Sequence, residues 1–272
     1  MISPSEKLKN FPPINFISIP DAIGRRKKLY NMFEKYGVYK FTPYVYDRYV
    51  DEDHKLSGQG LQWCRPNSRG PVTSHLKAIK EWYYNSTEPY AIFCEDDISF
   101  DMVRYWNFTW EDFFHNLPPT WEIVQLALLT DGAAGFPTAL HRNLEQNCIR
   151  TRDWSDWSCA AYLISRQHAA KIVQNYYPDD TIILEYKGWD APMRPGWGLV
   201  PTTETLVYSF FEQDRADTVF SFQLLTEDAS FPSTWGHSDV NVKWHTLSHE
   251  LVWDWWKTIG SGLTIEDIKY KY

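Results

Sequence analysis

Tyr90-Ala91-Ile92-Phe93-Cys94-Glu95-Asp96-Asp97 is the stretch on which the reading of the fold turns. Five apolar or aromatic residues run straight into three carboxylates, with Pro89 just before them. A short apolar run bounded by a turn residue and by charges reads as a strand buried on both faces. In an open α/β sheet, ligands sit just beyond the carboxyl ends of such strands. Three adjacent carboxylates repel one another and resist burial. A hard divalent cation between them removes that cost, and such a cation prefers oxygen ligands and phosphates. A solvated acidic turn would carry the same residues, because acidic turns are common. The triplet alone leaves both readings open.

Upstream, Ile14 to Ile19 alternates and is rich in β-branched residues, which predicts a first strand. Pro20 to Gly24 breaks it, and Leu29, Met32, Phe33 and Tyr36 then recur at helical spacing, with Gly37 as the stop. Phe41 to Tyr46 reads as a second strand, which makes a β-α-β opening of the nucleotide-binding kind. No Gly-rich phosphate loop follows the first strand; Arg25-Arg26-Lys27-Lys28 stands there instead. That run fits a solvated helix face or an arginine turned toward a diphosphate. Asp47 to Ser68 reads as a loop over the strand ends. A helix is expected from Gly70, with Pro71 in its first turn and Val72, His75, Ile79 and Trp82 on one face. His75 is then either a satisfied core histidine or a site residue.

Downstream, Thr109-Trp110-Glu111-Asp112 predicts a capped short helix, and Ile123 to Leu128 a further strand. Thr130 to Arg152 reads as irregular. A strand ending at Ser165 and a helix capped by that residue should follow, with Ala169, Ala170, Ile172 and Val173 buried. Leu206 to Phe211 reads as a short strand, and the pattern weakens after Glu212. Leu251, Trp255 and Ile259 mark a last helix over 247–259. Its tryptophans fit packing on their own domain, with a partner subunit or a membrane surface as alternatives. The implied organisation is an N-terminal extension over 1–12, one domain over 13–245 and a helical tail over 246–272.

Composition narrows the function. The chain of 272 residues has 27 basic and 35 acidic side chains, a net charge of −8, which argues against a general nucleic-acid binder. Aromatic residues reach 17%, fitting a heavy core, sugar-stacking platforms or an interface. Cys64, Cys94, Cys148 and Cys159 form no CxxC pair, so a zinc site is not indicated and a reducing compartment is the simpler reading. No segment has the form of a signal peptide, and no apolar run approaches the roughly 20 residues a bilayer requires. A cytoplasmic location is the expectation.

Taken in order, four pieces resemble glycosyltransferase family 25, the group of lipooligosaccharide and collagen galactosyltransferases. They are Ile14–Ile19 with Arg25-Arg26, then Gly70 with Ser74-His75-Leu76, then Glu95-Asp96-Asp97, then Ala161–Ser165 with Ala169-Ala170-Lys171. The match spans about residues 14 to 211. It departs from the family in Pro71, where Cys is usual, and in Ser18-Ile19-Pro20-Asp21, where the family has Asn-Leu-Asp-Arg. The resemblance implies an α/β fold of GT-A type, a Rossmann-like mixed sheet flanked by helices. It implies Mn²⁺ or Mg²⁺ as cofactor, a nucleotide-diphosphate sugar as donor, UDP-sugar foremost, and a glycan or glycoprotein acceptor.

Carried over residue by residue, the resemblance places Glu95 and Asp97 at the metal; beyond the matched span, His237 in Trp235–Asp239 is either a third ligand from the C-terminal half or an exposed loop histidine. Asp96 would reach the ribose or the sugar, and Arg25 or Arg26 the phosphates. Phe16, Ile17, Ser18, Ser74 and His75 complete the expected donor site. An inverting reaction needs a base for the acceptor hydroxyl, and Asp156, Asp180 and Asp190 are the candidates. A glycan-binding module without turnover is the alternative, favoured by the aromatic content. A metal-dependent phosphodiesterase would need more clustered His and Asp than the chain offers.

Overall fold

A computed structural model describes residues 2–48, 55–64, 66–129, 139–153, 155–188, 200–211, 218–228, 230 and 239–270. In chain order the elements begin α1 (Pro4–Lys7), β1 (Ile14–Ser18), α2 (Ile23–Tyr36), β2 (Phe41–Val45), β3 (Lys55–Ser57) and α3 (Pro66–Asn85). Then come β4 (Tyr90–Glu95), β5 (Ile98–Ser99), α4 (Trp110–His115), β6 (Ile123–Gln125), α5 (Ala139–Gln146) and β7 (Arg150–Thr151). The chain continues with β8 (Ala161–Ser165), α6 (Arg166–Tyr176), β9 (Thr181–Ile183), α7 (Thr203–Val207), β10 (Val219–Ser221), β11 (Thr226–Glu227) and α8 (Asp239–Thr258).

Among the described residues, seven strands form one mixed sheet in the order β2-β1-β4-β8-β6-β10-β7. β1 pairs in parallel with β2 and β4, and β6 with β10. β8 runs antiparallel between β4 and β6, and β7 closes the edge antiparallel to β10. The expected class, an α/β fold with a Rossmann-like mixed sheet flanked by helices, is the observed one. Both faces are covered, and the period of two in each strand divides its side chains between two cores. Ile92 and Cys94 of β4 enter one core, with Phe33 of α2 and Trp256 of α8. Ala91 and Phe93 enter the other, with Ile79 of α3 and Ile172 of α6. The quoted strand is therefore buried on both faces, as its unbroken apolar run requires.

Local signals explain much of the rest. Gly37 ends α2 in the left-handed region, φ 72°, where a side chain would be strained. Thr109 and Asp112 form a reciprocal cap on α4, and Ser165 Oγ accepts from the His168 amide to cap α6. Ala169, Ile172 and Val173 of α6 are buried, while Ala170 is only half-buried.

Several sequence expectations are corrected. β1 is buried at all five positions, because its polar Asn15 and Ser18 find partners inside. α3 begins at Pro66, so Pro71 lies inside the helix rather than in its first turn. The loop over 47–68 contains β3 and one short 3-10 turn, and β3 pairs in parallel with β9. The stretch 130–152, expected to be irregular, holds α5 and β7. Residues 206–211, expected to be a strand, include the end of α7, because Thr202 and Thr205 cap a helix there. The weakly patterned region after 212 supplies β10 and β11.

The last helix starts earlier than expected, at Asp239. Its Val252, Trp255 and Trp256 are buried in the chain's own core, and Trp253 packs edge-on against Tyr105. Trp255 and Trp256 thus pack on the chain's own domain, and Trp253 is only half-buried. No described helix is long and apolar enough to cross a membrane. All four cysteines are buried.

Candidate functional site

The carboxyl ends of β1 and β4 lie side by side, and the first half of α3 passes over them. Between them is a cleft of about 260 Å³. Arg25, Arg48, Ser74, His75, Glu95 and Asp96 contribute to its lining, with Ile17 and Ser18 at the end of β1. Glu95 is the last residue of β4, and Asp96 and Asp97 form the turn into β5. β5 pairs antiparallel with β11, which sets Glu227 opposite Ile98. The Asp228 amide donates to the Asp97 carbonyl at 2.6 Å, pinning the turn from that side.

Arg25, in the first turn of α2, is the cation that meets the triplet. Its Nη1 donates to Asp96 Oδ1 and to Asp97 Oδ2, both at 2.9 Å, and all three side chains are largely buried. Burial works against charge on this guanidinium, but Asp97, Asp96 and Glu95 outweigh it and raise its pKa. Ser18 Oγ donates to Asp96 Oδ2 at 2.5 Å. Asp96 is therefore held at both oxygens by β1 and α2. Arg26 does not reach the cleft. It donates to the carbonyls of Ile19 and Pro20 and to Ser18 Oγ, and so clamps the β1–α2 turn.

Asp97 differs from Asp96. Its Oδ1 is buried with no hydrogen-bond partner. Burial, then the charges of Glu227 and Glu95, push its carboxyl well above the usual range, and Arg25 only partly offsets them. A buried oxygen with no donor costs about 1–3 kcal/mol, and a cation or a proton relieves it.

His75 is both buried and part of the site. Its Nε2 lies 3.3 Å from Glu95 Oε1, and its Nδ1 lies 3.0 Å from the Tyr162 hydroxyl. Burial pushes the Tyr162 phenol well up, so it stays protonated and shares a hydrogen bond with Nδ1. Nε2 faces a carboxylate, which accepts, so the hydrogen of that contact sits on Nε2. Tyr162 in turn stacks on Phe93 at 5.6 Å, which ties the histidine to the core of β4 and β8.

Sequence reasoning missed three contributors. Glu227 lies in a stretch with no readable period. Ser158 has φ 102°, a strained value for a residue with a side chain. Five bonds hold it there: Oγ donates to Glu227 Oε1, the amide donates to Glu204, the carbonyl accepts from Gln125 and Tyr208, and Oγ accepts from the Ala160 amide. Arg48, just after β2, lines the cleft while donating through Nε and Nη2 to Asp21 Oδ2 at 3.1 and 2.9 Å. An exposed basic residue after an edge strand carries no sequence signal of a site.

Other expected site residues lie elsewhere. Phe16 points away from the cleft into the core, against Tyr30, Phe33 and Phe41. Asp156 is fully buried, ion-paired to Arg150, and accepts from the Asp153 amide and Ser221 Oγ. Ser221 is three strand spacings from β4, on the order of 14 Å, so Asp156 has a structural role away from the triplet. Asp180 is exposed in the turn before β9 and does not line the cleft. Asp190 and His237 lie outside the described residues.

Among the described residues no three His, Cys, Asp or Glu side chains are arranged to hold a metal ion. The donor chemistry nevertheless suits a hard cation, with carboxylate oxygens crowded together and one of them buried and unpaired. Glu95 and Asp97 are the residues that would contribute.

No protein-family model matches the chain, and no curated protein matches it. Among solved structures, the chain is similar to the galactosyltransferase LgtC in complex with donor and acceptor sugar analogues. That match has 12% identity, covers 89% of this chain and 95% of that one, and has a TM-score of 0.33. An active-site mutant of LgtC matches over the same shares at 10% identity and a TM-score of 0.31.

Proposed function

We propose that this chain is a glycosyltransferase of the family-25 kind on a GT-A-type fold. It moves a hexose, galactose or another, from a nucleotide-diphosphate donor, UDP-sugar foremost, to a hydroxyl of a glycan or protein-linked acceptor, with inversion. One observation carries the reading. The acidic turn stands at the carboxyl end of a doubly buried strand, beside a cleft with two arginines, and holds a buried carboxylate oxygen without a donor.

In this reading Glu95 and Asp97 hold Mn²⁺ or Mg²⁺. When bound, the ion supplies Lewis-acid stabilisation of the departing diphosphate. Asp96 stays with Ser18 and Arg25 and fixes the turn to β1 and α2. Arg48, exposed at the cleft, exchanges Asp21 for a phosphate oxygen, a charge-assisted bond of the kind guanidinium groups favour. His75 holds Glu95 in place through Nε2 and is itself held by Tyr162. Asp156, fully buried and paired with Arg150, is the least accessible of the candidate bases, and this reading favours Asp180 or Asp190.

A panel of nucleotide sugars with Mn²⁺, read by release of the nucleotide diphosphate, tests the proposal. Turnover with at least one donor is expected, and Asp97→Ala should lower it about 100-fold or more, the size of a lost metal contact. Silence across the panel, or full turnover in a folded Asp97→Ala, contradicts the proposal.

A further inference from the structure

β7 closes the sheet at the end away from the acidic turn, and its Arg150 pairs across from Ser221, the last residue of β10. From β4 to β7 there are four strand spacings, on the order of 19 Å. A second cleft opens there, about 380 Å³ in volume. Arg142 and Gln146 of α5 form one wall, Arg150 and Thr151 of β7 another, and Arg152 and Asp153 the rest. Three arginines gathered in one cleft run against a net charge of −8 for the chain.

Five of their nine guanidinium nitrogens have an acceptor named below. Arg152 Nε donates to Gln125 Oε1 at 3.0 Å and Nη2 to the Asp156 carbonyl at 2.5 Å, and its guanidinium lies 4.3 Å from the centre of the Tyr208 ring. Arg142 Nη2 donates to Ser155 Oγ at 2.7 Å. Arg150 Nη1 donates to the Thr151 carbonyl at 3.0 Å, and Nη2 to the Asp156 carboxylate. Arg150 Nε is buried and has no acceptor.

The acids nearby do not fill that place. Asp156 is fully buried and engaged by Arg150 Nη2, the Asp153 amide and Ser221 Oγ. Asp153 accepts from the amide and hydroxyl of Ser155. Burial opposes its charge, but those bonds and the charges of Arg142 and Arg150 outweigh it and lower its pKa. Among the described residues of the cleft, three guanidinium groups face the two carboxylates of Asp153 and Asp156. Buried N–H groups are almost always paired, and a guanidinium edge is suited to a planar or tetrahedral oxyanion.

We propose that this cleft binds a small oxyanion, a phosphate or a carboxylate. Binding turns the unpaired Arg150 Nε toward an oxygen of the anion, and the exposed Arg142 supplies the second charge. The proposal is independent of the reading given to the acidic cleft. Free inorganic phosphate and the acid group of a charged sugar offer the same chemistry.

The test is a titration of the ¹⁵N-labelled full chain, following the Arg150 Nε–H signal assigned through bonds to its own backbone amide. Inorganic phosphate and glucuronate are added separately, with glucose as the neutral control. A saturable movement with phosphate or glucuronate, and none with glucose, is expected; the tighter of the two names the source. Gln146→Glu places a carboxylate in the cleft from an exposed helix position and leaves the Arg150–Asp156 pair intact. It should weaken the binding at least about tenfold, or 1.4 kcal/mol. A signal that neither anion moves overturns the proposal, and so does an affinity unchanged by Gln146→Glu.

Discussion

Arg25 carries the electrostatic burden of the acidic turn in the free protein. Removing it leaves Asp96 and Asp97 buried without their shared cation, the situation in which breaking a buried pair costs roughly 3–5 kcal/mol. Arg25→Met should therefore lower the urea midpoint by that equivalent at neutral pH, and an unchanged midpoint would refute the role. Asp97 makes a prediction in pH. Its folded pKa is raised, so the folded protein keeps a proton that the unfolded chain gives up near pH 3.9. The stability this group contributes is full below about pH 4 and is lost as pH rises through the raised folded value. Asp97→Asn cannot lose it. Between pH 4 and 7, in EDTA, the variant should gain stability relative to the native chain; a flat difference contradicts the assignment. At this scale the sequence revealed which carboxylates matter, because three acids after an apolar run are conspicuous. It left the partners of the arginines open between solvent and a diphosphate, whereas in the free protein Arg25 binds the carboxylates and Arg26 clamps backbone. The direction of each side chain at a helix N-terminus depends on the angle at which α2 leaves β1, which no local pattern records.

Elements with a strong local signal were legible: β4 by its apolar run, α2 by its spacing and Gly37, α4 and α6 by their caps. Short elements were not. The largely apolar run Leu206 to Phe211 predicts a strand, whereas the reciprocal bonds of Thr202 and Thr205 start a helix at Thr203 that takes in Leu206 and Val207. Thr202→Ala should cost about 1 kcal/mol, the usual loss for an N-cap, read as a shift of the urea midpoint with an unchanged slope. No shift would mean that packing alone holds the helix. β7, β10 and β11 have two or three residues each, too few to show a period, and their place comes from the neighbours they pair with. Glu227 was invisible for that reason, since a two-residue strand carries it to the site. Pro66 and Pro71 both suit a first helical turn, and only the packing of α3 over β1 and β4 decides between them.

Among the described residues many of the aromatic rings pack in the two cores, while Tyr39, Trp63 and Tyr84 are exposed. Trp256 is fully buried in α8, touches Trp106, Phe108 and Phe222, and donates through Nε1 to the Gln223 carbonyl. Trp256→Ala should destabilise the chain by about 3–5 kcal/mol, measured by chemical unfolding; a loss below about 1 kcal/mol would show that α8 is dispensable to the core. The α/β class was legible because parallel strands buried on both faces leave unbroken apolar runs. The antiparallel insertion of β8 and the closing of the sheet by β10 and β7 were not, being fixed by long-range pairing. The central claim is that the acidic turn joins a divalent ion to a nucleotide diphosphate. Thermal unfolding with UDP, with Mn²⁺ and with both tests it most directly. At 100 times the dissociation constant, UDP with Mn²⁺ should stabilise the protein by about 2.7 kcal/mol. Either alone should have little effect, and Asp97→Asn should abolish the joint effect. Stabilisation by UDP that is equal without the metal, or none with both present, would contradict the account.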